Sequence, residues 1–494
     1  MTTDDLPIRT KIVATIGPAS RSPAGLRQLI EAGVNVFRLN FSHGTHEEHA
    51  AVLAEIRRLS RQMDRHVAVL QDLCGPKVRL GDIPGDRVDC QLGEEFTLLS
   101  DRLTDSPREL TCSYRDLPND LKPGEMVLFA DGTVAMSVTE VGPGRARLRV
   151  TLPGRLRSRQ GLNLPGSDLN VKPLTGKDLQ DLDWTASHAE DVQFVGLSFV
   201  RGEEDVASLR RELAARKCAG KVVVKIEKPQ AVLHLEGIVA ATDAVMVARG
   251  DLGVEMDVWR VPAIQKRVIA LCNQLHRPVI TATQMLNSME YSSRPTRAEA
   301  SDVFNAVLDG TDGVMLSGES AIGRYAQEAV HTMRQICAEA EAYLKANGPG
   351  PAPVAPTSLA GLVDPMTEAA VDAAVLAAKR LDAPLIVVAT NSGRTPLALS
   401  NRRPTATVLA LTSSEQVARL LALCWGVTAT VAPEKPLQQE LGFAIEWART
   451  RRLVRPGQHV VLLEGEMPGQ PNSRSVVVRA VLSSDHVNDG VVAG

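Results

Sequence analysis

The 494-residue sequence contains no apolar run long enough to cross a lipid bilayer, and its start, MTTDDLPIRTK, lacks the apolar core of a signal peptide. Its 7 cysteines are scattered and include no Cys-x-x-Cys pair, which argues against a disulfide framework or a zinc site. Neither charge sign dominates, because 55 Lys and Arg against 58 Asp and Glu give a formal net charge of −3. We therefore expect a cytoplasmic protein with reduced thiols that binds neither nucleic acid nor an anionic membrane.

The sequence does contain a regular alternation of short aliphatic runs and amphipathic segments. Segments such as SPAGLRQLIEAG and EEHAAVLAEIRRLSRQ have the apolar spacing of helices, and the aliphatic runs between such segments are typical of buried strands. Eight strands alternating with helices predict an α/β fold, a (β/α)₈ TIM barrel, whose chemistry lies at the carboxyl ends of the strands. The predicted strands are Lys11–Ile16, Val34–Leu39, His66–Leu70, Val192–Leu197, Val222–Ile226, Ala244–Val247, Pro278–Thr281 and Gly313–Leu316.

Charged side chains stand at the carboxyl ends of two of these strands. The run VVVKIEKPQ places Lys225 and Glu227 at the end of the fifth strand, and VMVARGDLGVE places Arg249, Gly250 and Asp251 after the sixth. Because burying an unpaired charge is costly, a purely structural role for the lysine and the two carboxylates is unexpected. Together they suit a divalent cation beside an oxyanion or a phosphoryl group. Polar residues also follow other predicted strands: Arg38, Asn40, Ser42, Asp72, Ser198, Thr283, Ser317 and Glu319.

The domain organisation follows from two breaks in this alternation. Residues 77–159 contain short strands and turns, such as EEFTLLSD and RARLRVTL, and predict an inserted all-β domain that closes over a bound substrate. The barrel is assigned to residues 1–76 and 160–346. A Pro- and Gly-rich linker covers residues 347–356, and a C-terminal α/β domain is expected over residues 357–494.

Long motifs in the chain resemble the pyruvate kinase family, in that family's order. They are TIGPAS, NVFRLNFSHG, GLNLPG, KIEKPQ, VMVARGDLGVE, TATQML and NAVLDGTDGVMLSGES. The resemblance covers nearly the whole chain, and it implies a barrel with an inserted β domain and a C-terminal regulatory α/β domain. It also implies an allosteric homotetramer that transfers the phosphoryl group of phosphoenolpyruvate to ADP, giving pyruvate and ATP.

This resemblance assigns roles to residues around the transferred phosphate. Glu227 and Asp251 are expected to bind Mg²⁺ or Mn²⁺, for which two carboxylates with substrate oxygens and waters are a usual arrangement. Lys225 lies two residues before Glu227 and so shares its strand face. Its ammonium is expected to stabilise charge on the moving phosphoryl group and on the enolate. Arg38 and Arg79 are expected to hold the phosphate.

The resemblance also assigns the substrate carboxylate and the nucleotide. The backbone of Gly250 and the hydroxyl of Thr283 are expected to hold the carboxylate, and Thr283 joins the relay that protonates the enolate unless water delivers the proton itself. His43, Arg79 and Asp131 are expected near the nucleotide, although Asp131 precedes a glycine and is also typical of a turn. The predicted substrate-binding set is Arg38, Lys225, Gly250, Asp251 and Thr283.

One predicted pocket departs from the family's common pattern. Asn40, Ser42 and Asp72 resemble the family's monovalent-cation pocket, but DLCGPK stands where many members have DTKGPE, so that Leu73 and Lys77 replace a threonine and a glutamate. The ammonium of Lys77 would then supply the charge of the ion, and K⁺ would not be required. The alternative is that Lys77 is a simple surface charge.

A candidate effector site follows the strand PLIVVA in the C-terminal domain. Hydroxyls, a glycine and the start of a helix there form an anion-binding nest, or alternatively an ordinary polar turn. Family members that bind fructose 1,6-bisphosphate have lysine where this chain has Asn391 and arginine where it has Met467, so a sugar monophosphate or AMP is the expected effector. The loop consists of Thr390, Asn391, Ser392, Gly393, Arg394 and Thr395.

Several alternative interpretations remain open. His43, His46 and His49 have the spacing of a metal cluster, although Thr45 and Glu48 also predict a capping box at a helix start. Arg249 serves either catalysis or a structural ion pair. A barrel aldolase acting on pyruvate enolate would use the same lysine and carboxylates, and a catalytically silent sensor of sugar phosphates would use only the loop that begins at Thr390.

Overall fold

The structure is a computed structural model that describes residues 8–100, 106–165, 171–348, 361–432, 437–464 and 474–482, with the backbone alone for residues 437–440. Residues 349–356 of the predicted linker and the last twelve residues of the chain, 483–494, lie outside these stretches. Within them, no helix is both long enough and apolar enough to cross a membrane.

Eight parallel strands close into a barrel, which confirms the predicted fold class. The first and last strands pair with each other, with Lys11 opposite Gly313. Most strand positions are fully buried, because the strands are enclosed by the barrel interior on one face and by helices on the other. Each strand overlaps one of the eight predicted runs. The strands are β1 Lys11–Thr15, β2 Val36–Asn40, β3 Ala68–Asp72, β4 Phe194–Leu197, β5 Lys221–Ile226, β6 Ala244–Ala248, β7 Val279–Ala282 and β8 Gly313–Leu316.

Helices connect the barrel strands, and several begin at side-chain caps. Thr45 and Glu48 form the predicted capping box at the start of the helix His46–Gln62. Equivalent boxes open the helices Gly176–Ser187 and Arg297–Leu308, satisfying N–H groups that have no partner inside a helix. The other helices of this part are Pro23–Ala32, Glu203–Ala215, Pro229–Leu233, Leu235–Ala241, Arg249–Glu255, Val261–Gln274, Gly318–Ala321 and Ala326–Asn347.

An all-β unit is inserted between β3 and β4. It has a six-stranded and a two-stranded sheet and its own hydrophobic core, which runs from Val78 to Leu164. Arg79 pairs with Gly161, so the two ends of the insert lie side by side. Its last strand, Leu162–Asn163, lies beyond the predicted boundary at residue 159. Its strands are Arg87–Cys90, Glu95–Leu99, Glu109–Thr111, Met126–Phe129, Val134–Gly142, Arg145–Leu152, Gly154–Arg157 and Leu162–Asn163, with one short helix, Leu117–Asp120.

The C-terminal part is an α/β unit with a five-stranded sheet between two apolar clusters. Four strands are parallel, and the last described strand pairs antiparallel at one edge. In sheet order the strands are Val427–Val431, Thr407–Thr412, Leu385–Ala389, His459–Glu464 and Ser475–Ala480. The helices are Pro365–Arg380, Arg394–Asn401, Glu415–Leu420 and Leu437–Thr450.

The C-terminal part closes the amino end of the barrel. Ala422 and Leu423 join the apolar cluster of inward-facing strand residues inside the barrel. The ammonium of Lys11, at the start of β1, is buried and donates to the carbonyl of Val427 at 2.6 Å. Burial lowers the pKa of Lys11 to about 8. The opposite, carboxyl end of the barrel faces the inserted unit, and the predicted site lies there.

Candidate active site

Lys225 lies at the centre of the predicted site, at the carboxyl end of β5. Its Nζ is 3.2 Å from Glu227 Oε2 and 3.8 Å from Asp72 Oδ2, and it donates to Ser198 Oγ at 2.9 Å. Burial alone would lower the pKa of Lys225, but the nearby Asp72, Glu227 and Asp251 carboxylates outweigh it and raise the pKa above its ordinary value. The side chain is therefore a protonated cation at neutral pH.

Glu227 is fully buried, and its Oε2 has the ammonium of Lys225 3.2 Å away. Its Oε1 accepts from the backbone N–H of Phe199 at 2.6 Å, whereas Oε2 is buried and, within the described residues, accepts no hydrogen bond. Burial raises the pKa of Glu227 to about 7, with Lys225 acting in the opposite direction and the nearby Asp251 adding to the rise. A buried carboxylate oxygen that accepts no hydrogen bond and lies near a second carboxylate suits a bound Mg²⁺ or Mn²⁺.

The described residues contain no group of three or more His, Cys, Asp or Glu side chains placed to hold a metal. The predicted ligand set has only two carboxylates, Glu227 and Asp251, so the remaining ligands would be substrate oxygens and waters. This number of protein ligands fits Mg²⁺, which retains several waters and shares substrate phosphates. The donor set is therefore compatible with the predicted metal.

Arg38 is held rigidly beside Lys225. Its Nε donates to Asp72 Oδ2 at 2.8 Å, and its Nη1 donates to Thr15 Oγ1 at 3.0 Å. Asp72 is 1% exposed; burial would raise its pKa, but Lys225 and Arg38 lower it below its ordinary value. Two cations thus converge on one buried carboxylate, and both present positive charge to the barrel mouth.

Thr283 and Gly250, which were predicted to share a role, are in direct contact. Thr283 Oγ1 accepts from the N–H of Gly250 at 2.7 Å and donates to the carbonyl of Ala282 at 2.6 Å. Thr283 has φ of +67°, an unfavourable region for a β-branched residue, so the surrounding structure must hold it there. Arg249 contributes to this by donating to the carbonyl of Thr283 at 2.7 Å.

Arg249 is 9% exposed, and its Nη1 donates to Asp302 at 2.8 Å. Of its two proposed roles, this geometry favours the structural ion pair.

The predicted monovalent-cation residues are divided between two neighbouring places. Asn40 Oδ1 accepts from the N–H of Ser42 at 3.1 Å, at the end of β2. Leu73 is 1% exposed and belongs to the barrel core, so its side chain offers no oxygen to a cation. Lys77 points into the site rather than to solvent, with Nζ 3.5 Å from Asp251 Oδ1.

The predicted nucleotide residues come from two parts of the chain, since His43 follows β2 of the barrel whereas Arg79 and Asp131 belong to the inserted unit. His43 is exposed overall, but partial burial, followed by the charges of Arg79, Arg38 and Lys77, lowers its pKa. Asp131 lies in a tight turn with φ of +54°. A Cβ added at the next residue, Gly132, would lie 3.6 Å from Val254 of the barrel. The turn therefore approaches the helix that carries Asp251.

Comparison with known proteins decides the family. Residues 8–330 match the family model described as pyruvate kinase, barrel domain, and residues 368–478 match pyruvate kinase, alpha/beta domain. The chain is 39% identical to the pyruvate kinase of Geobacillus stearothermophilus, across 96% of this chain and 80% of that protein. It is 40% identical to pyruvate kinase 2 of Synechocystis, across 100% of this chain and 83% of that protein. A solved pyruvate kinase from Cryptosporidium parvum superimposes with a TM-score of 0.87 at 32% identity, covering 97% of both chains.

The chain belongs to the pyruvate kinase family. It is a phosphotransferase whose substrates and products are phosphoenolpyruvate, ADP, ATP and pyruvate, and the family generally uses Mg²⁺. The predicted family, fold class and enzyme class are therefore confirmed.

The loop that begins at Thr390 belongs to the C-terminal α/β unit, where it joins the strand Leu385–Ala389 to the helix Arg394–Asn401. Thr390 Oγ1 accepts from the N–H of Gly393, whose φ is +80°, and a helix begins at Arg394. Ser392, Arg394 and Thr395 line an open cleft of about 390 Å³ together with Arg474, a residue that the sequence analysis did not select. Met467 lies outside the described residues.

The three closely spaced histidines do not form a metal cluster in the described structure. His46 Nε2 lies 2.8 Å from Asp181 Oδ1, and the ring of His49 stacks on Phe41 with centroids 4.1 Å apart. Both side chains therefore serve packing at the start of the helix His46–Gln62.

Two positioning residues, Thr15 and Ser198, have no sequence signal that indicates their roles. Thr15, which holds Arg38, lies inside β1 and is indistinguishable from an ordinary strand threonine in the sequence. Ser198 was noticed only as a polar strand end, whereas the structure makes it the hydrogen-bond partner of Lys225. Since both act through contacts with residues distant in the chain, no local pattern indicates their partners.

Proposed function

We propose that this pyruvate kinase transfers the phosphoryl group without requiring K⁺, because the ammonium of Lys77 supplies the positive charge of a monovalent cation. The observation that carries the proposal is the direction of Lys77, whose Nζ is 3.5 Å from Asp251 and whose charge contributes to the lowered pKa of His43. A unit charge at about 4 Å and an effective dielectric near 20 is worth roughly 4 kcal/mol, enough to affect catalysis.

Two features next to Lys77 support this proposal. Leu73 places a buried hydrocarbon where a threonine would offer an oxygen, and Asn40 Oδ1 already accepts from Ser42. A cation bound beside Asp72 would also meet Lys225 and Arg38, which already neutralise that carboxylate. The charge of Lys77 adds to theirs and disfavours a further monovalent cation in this region.

The reaction itself is assigned to the residues at the carboxyl end of the barrel. The bond from phosphorus to the enol oxygen breaks as an oxygen of the ADP β-phosphate bonds to phosphorus, and the enolate then takes a proton at carbon to give pyruvate. Arg38, fixed by Asp72, orients the phosphoryl group, and the protonated Lys225 stabilises its charge and that of the enolate. Glu227 and Asp251 would hold Mg²⁺ or Mn²⁺, which when bound neutralises phosphate and carboxylate charge.

Thr283 and Gly250 are proposed to receive the carboxylate of the substrate. The proximity of the two groups supports this proposal, since the N–H of Gly250 donates to Thr283 Oγ1 at 2.7 Å. A bound carboxylate would have to replace that hydrogen bond. Thr283 is also proposed to join the relay that protonates the enolate, unless water delivers the proton itself. Arg79, His43 and Asp131 are proposed to contact the nucleotide when the inserted unit closes.

Of the aldolase alternatives, the carboxylates around Lys225 disfavour the Schiff-base enzyme. A Schiff-base mechanism needs a neutral amine, whereas the surrounding carboxylates raise the pKa of Lys225 and keep it protonated. Borohydride in the presence of pyruvate should therefore trap no adduct on Lys225.

The test of K⁺ independence is a pyruvate assay with tetramethylammonium as the only monovalent cation. We expect full activity with Mg²⁺, phosphoenolpyruvate and ADP. A rate that rises tenfold or more on adding K⁺ at constant ionic strength would overturn the proposal.

We also propose that the loop Thr390 to Thr395 binds a sugar monophosphate or AMP in a cytoplasmic homotetramer. The supporting observations are the left-handed Gly393, the helix start at Arg394, and Arg474 across the same cleft. Asn391→Ala with Arg394→Ala should abolish activation by ribose 5-phosphate or AMP and leave the basal rate intact. Stronger activation by fructose 1,6-bisphosphate than by these ligands would contradict the assignment, and sedimentation would test the tetramer.

A further inference from the structure

A second concave site lies at the amino ends of the C-terminal strands, whereas the Thr390 loop follows the carboxyl end of one of them. It is a cleft of about 750 Å³, bounded by the barrel helix Ala326–Asn347 and by the segments that precede the C-terminal strands Leu385–Ala389, Thr407–Thr412 and His459–Glu464. A cleft of this volume accommodates a metabolite-sized ligand. Neither the phosphoryl-transfer site nor the Thr390 loop shares a residue with it.

The cleft is rich in positive charge because of one sequence motif, RTRRLVR, at residues 449–455. Arg451 is engaged elsewhere, since it forms an ion pair with Asp64 at 2.6 Å and lies over the ring of Trp447. Arg449 and Arg452 line the cleft and have no ion pair within the described residues.

The barrel side of the cleft adds a further positive charge and few carboxylates to neutralise it. Lys345, near the end of the helix Ala326–Asn347, is exposed and lines the cleft. Glu341, one turn earlier, is occupied by the backbone N–H groups of Arg9 and Thr10, at 3.0 and 2.7 Å, and by the Arg9 guanidinium at 3.8 Å. Asp382 is the other carboxylate that lines the cleft. Arg449, Arg452 and Lys345 therefore exceed the available negative charge.

One of these cations carries a buried donor without an acceptor. Arg449 Nη1 is inaccessible to water and donates no hydrogen bond within the described residues. Buried guanidinium N–H groups are costly to leave unpaired, and two neighbouring guanidinium forks match the oxygens of phosphate groups. The cleft also has an apolar wall, formed by Ala338, Ala342, Pro384 and Val454, against which an organic body can pack.

We propose that this cleft is a binding site for a small metabolite that carries either a polyphosphate chain or two phosphate groups on an organic body. Arg449 and Arg452 hold the phosphates from the C-terminal side, and Lys345 holds them from the barrel side. The ligand thereby links the helix Ala326–Asn347 to the C-terminal sheet. A single carboxylate would leave most of these cations unpaired. A nucleic acid is disfavoured because the site is a bounded cleft in a chain of net charge −3.

The test is isothermal titration of the full-length protein in magnesium-free buffer with inorganic tripolyphosphate, and separately with fructose 1,6-bisphosphate. Four variants accompany the wild type. Arg449→Gln with Arg452→Gln removes the C-terminal cations, and Lys345→Gln removes the barrel cation. Asn391→Ala with Arg394→Ala removes the loop proposed for the effector. Arg87→Gln with Arg145→Gln is the matched control, since it removes the same charge from exposed strands of the inserted unit.

We expect one of the tripolyphosphate or bisphosphate sites on each chain to have a dissociation constant that rises at least tenfold in the double Arg449, Arg452 variant and at least threefold in Lys345→Gln. Binding should change less than twofold in the matched control and in the Thr390-loop variant. The two probes distinguish a polyphosphate chain from separated phosphates. Far-ultraviolet circular dichroism of each variant verifies folding, and Lys345→Gln provides an independent arm if the double variant does not fold.

Three results would overturn the proposal. The first is absence of binding of both probes to the wild type. The second is an unchanged dissociation constant in both cleft variants. The third is an equal loss in the matched control, which would show attraction to overall charge only.

Discussion

Lys77 Nζ lies 3.5 Å from Asp251 Oδ1, so the lysine that distinguishes this chain touches one of the two predicted metal ligands. The cation proposed to replace K⁺ and the divalent metal therefore share a carboxylate. Their charges are coupled through Asp251, and a change at Lys77 should affect both the response to K⁺ and the affinity for Mg²⁺.

Replacing Lys77 by glutamate tests this coupling. Lys77→Glu should lower the rate in tetramethylammonium buffer and create activation by K⁺, because it removes a tethered charge and restores a carboxylate. It should also tighten Mg²⁺ binding. Steady-state rates against K⁺ at fixed ionic strength measure the first effect and a Mg²⁺ titration measures the second. Lys77→Gln is the control, which should lose rate without acquiring K⁺ activation.

Glu227→Gln should reduce turnover by at least about 100-fold, because it replaces one anionic ligand by a neutral amide of the same size. The Mg²⁺ concentration for half-maximal activity should rise at the same time. Glu255→Gln, a neutralisation of another buried carboxylate, provides a matched comparison. Near-normal turnover of Glu227→Gln at ordinary Mg²⁺ would show that the carboxylate is not a metal ligand.

Lys225→Met should slow phosphoryl transfer by about 10³-fold, while binding of phosphoenolpyruvate weakens by less than about tenfold, since the ammonium acts mainly on charge that develops in the transition state. Single-turnover rates and equilibrium binding separate the two effects. If kcat were preserved and only KM rose, Lys225 would be a binding group alone.

Lys11 gives a pH dependence that is independent of catalysis. Its pKa is about 8 in the folded protein, against an ordinary value of 10.5, because the side chain is buried at the amino end of the barrel. Between these values the unfolded chain holds a proton that the folded protein has released, so the contribution of Lys11 to stability increases as the pH rises from about 8 to about 10.5. Melting temperatures of the wild type minus those of Lys11→Met should therefore increase across this range. A flat difference would show that Lys11 does not titrate there.

The barrel was predictable from the sequence because its strands carry a local signal. Strands enclosed on both faces read as aliphatic runs, and Lys225 and Glu227 break that pattern at the functional end. Thr45 with Glu48 likewise predicted a capping box from residues three apart. The described strands agree with the predicted runs to within a few residues.

Partners distant in the chain were not predictable in the same way. The contact of Lys77 with Asp251 joins residues 174 positions apart, and that of Arg249 with Asp302 joins residues 53 apart. Such contacts depend on the closed barrel and on the position of the inserted unit, so a single sequence offers no local signal for them. Arg474 reaches the Thr390 cleft for the same reason.

Ala422 and Leu423 complete the apolar interior at the amino end of the barrel. The barrel segments alone therefore do not supply all the apolar side chains that fill the amino end of the barrel. A recombinant fragment that stops near residue 348 would expose aliphatic surface at that opening, and we expect it to aggregate. In gene fusions or domain exchanges, a foreign C-terminal part would have to bring an equivalent apolar turn to the same place, which restricts recombination between relatives to exchanges that keep both surfaces together.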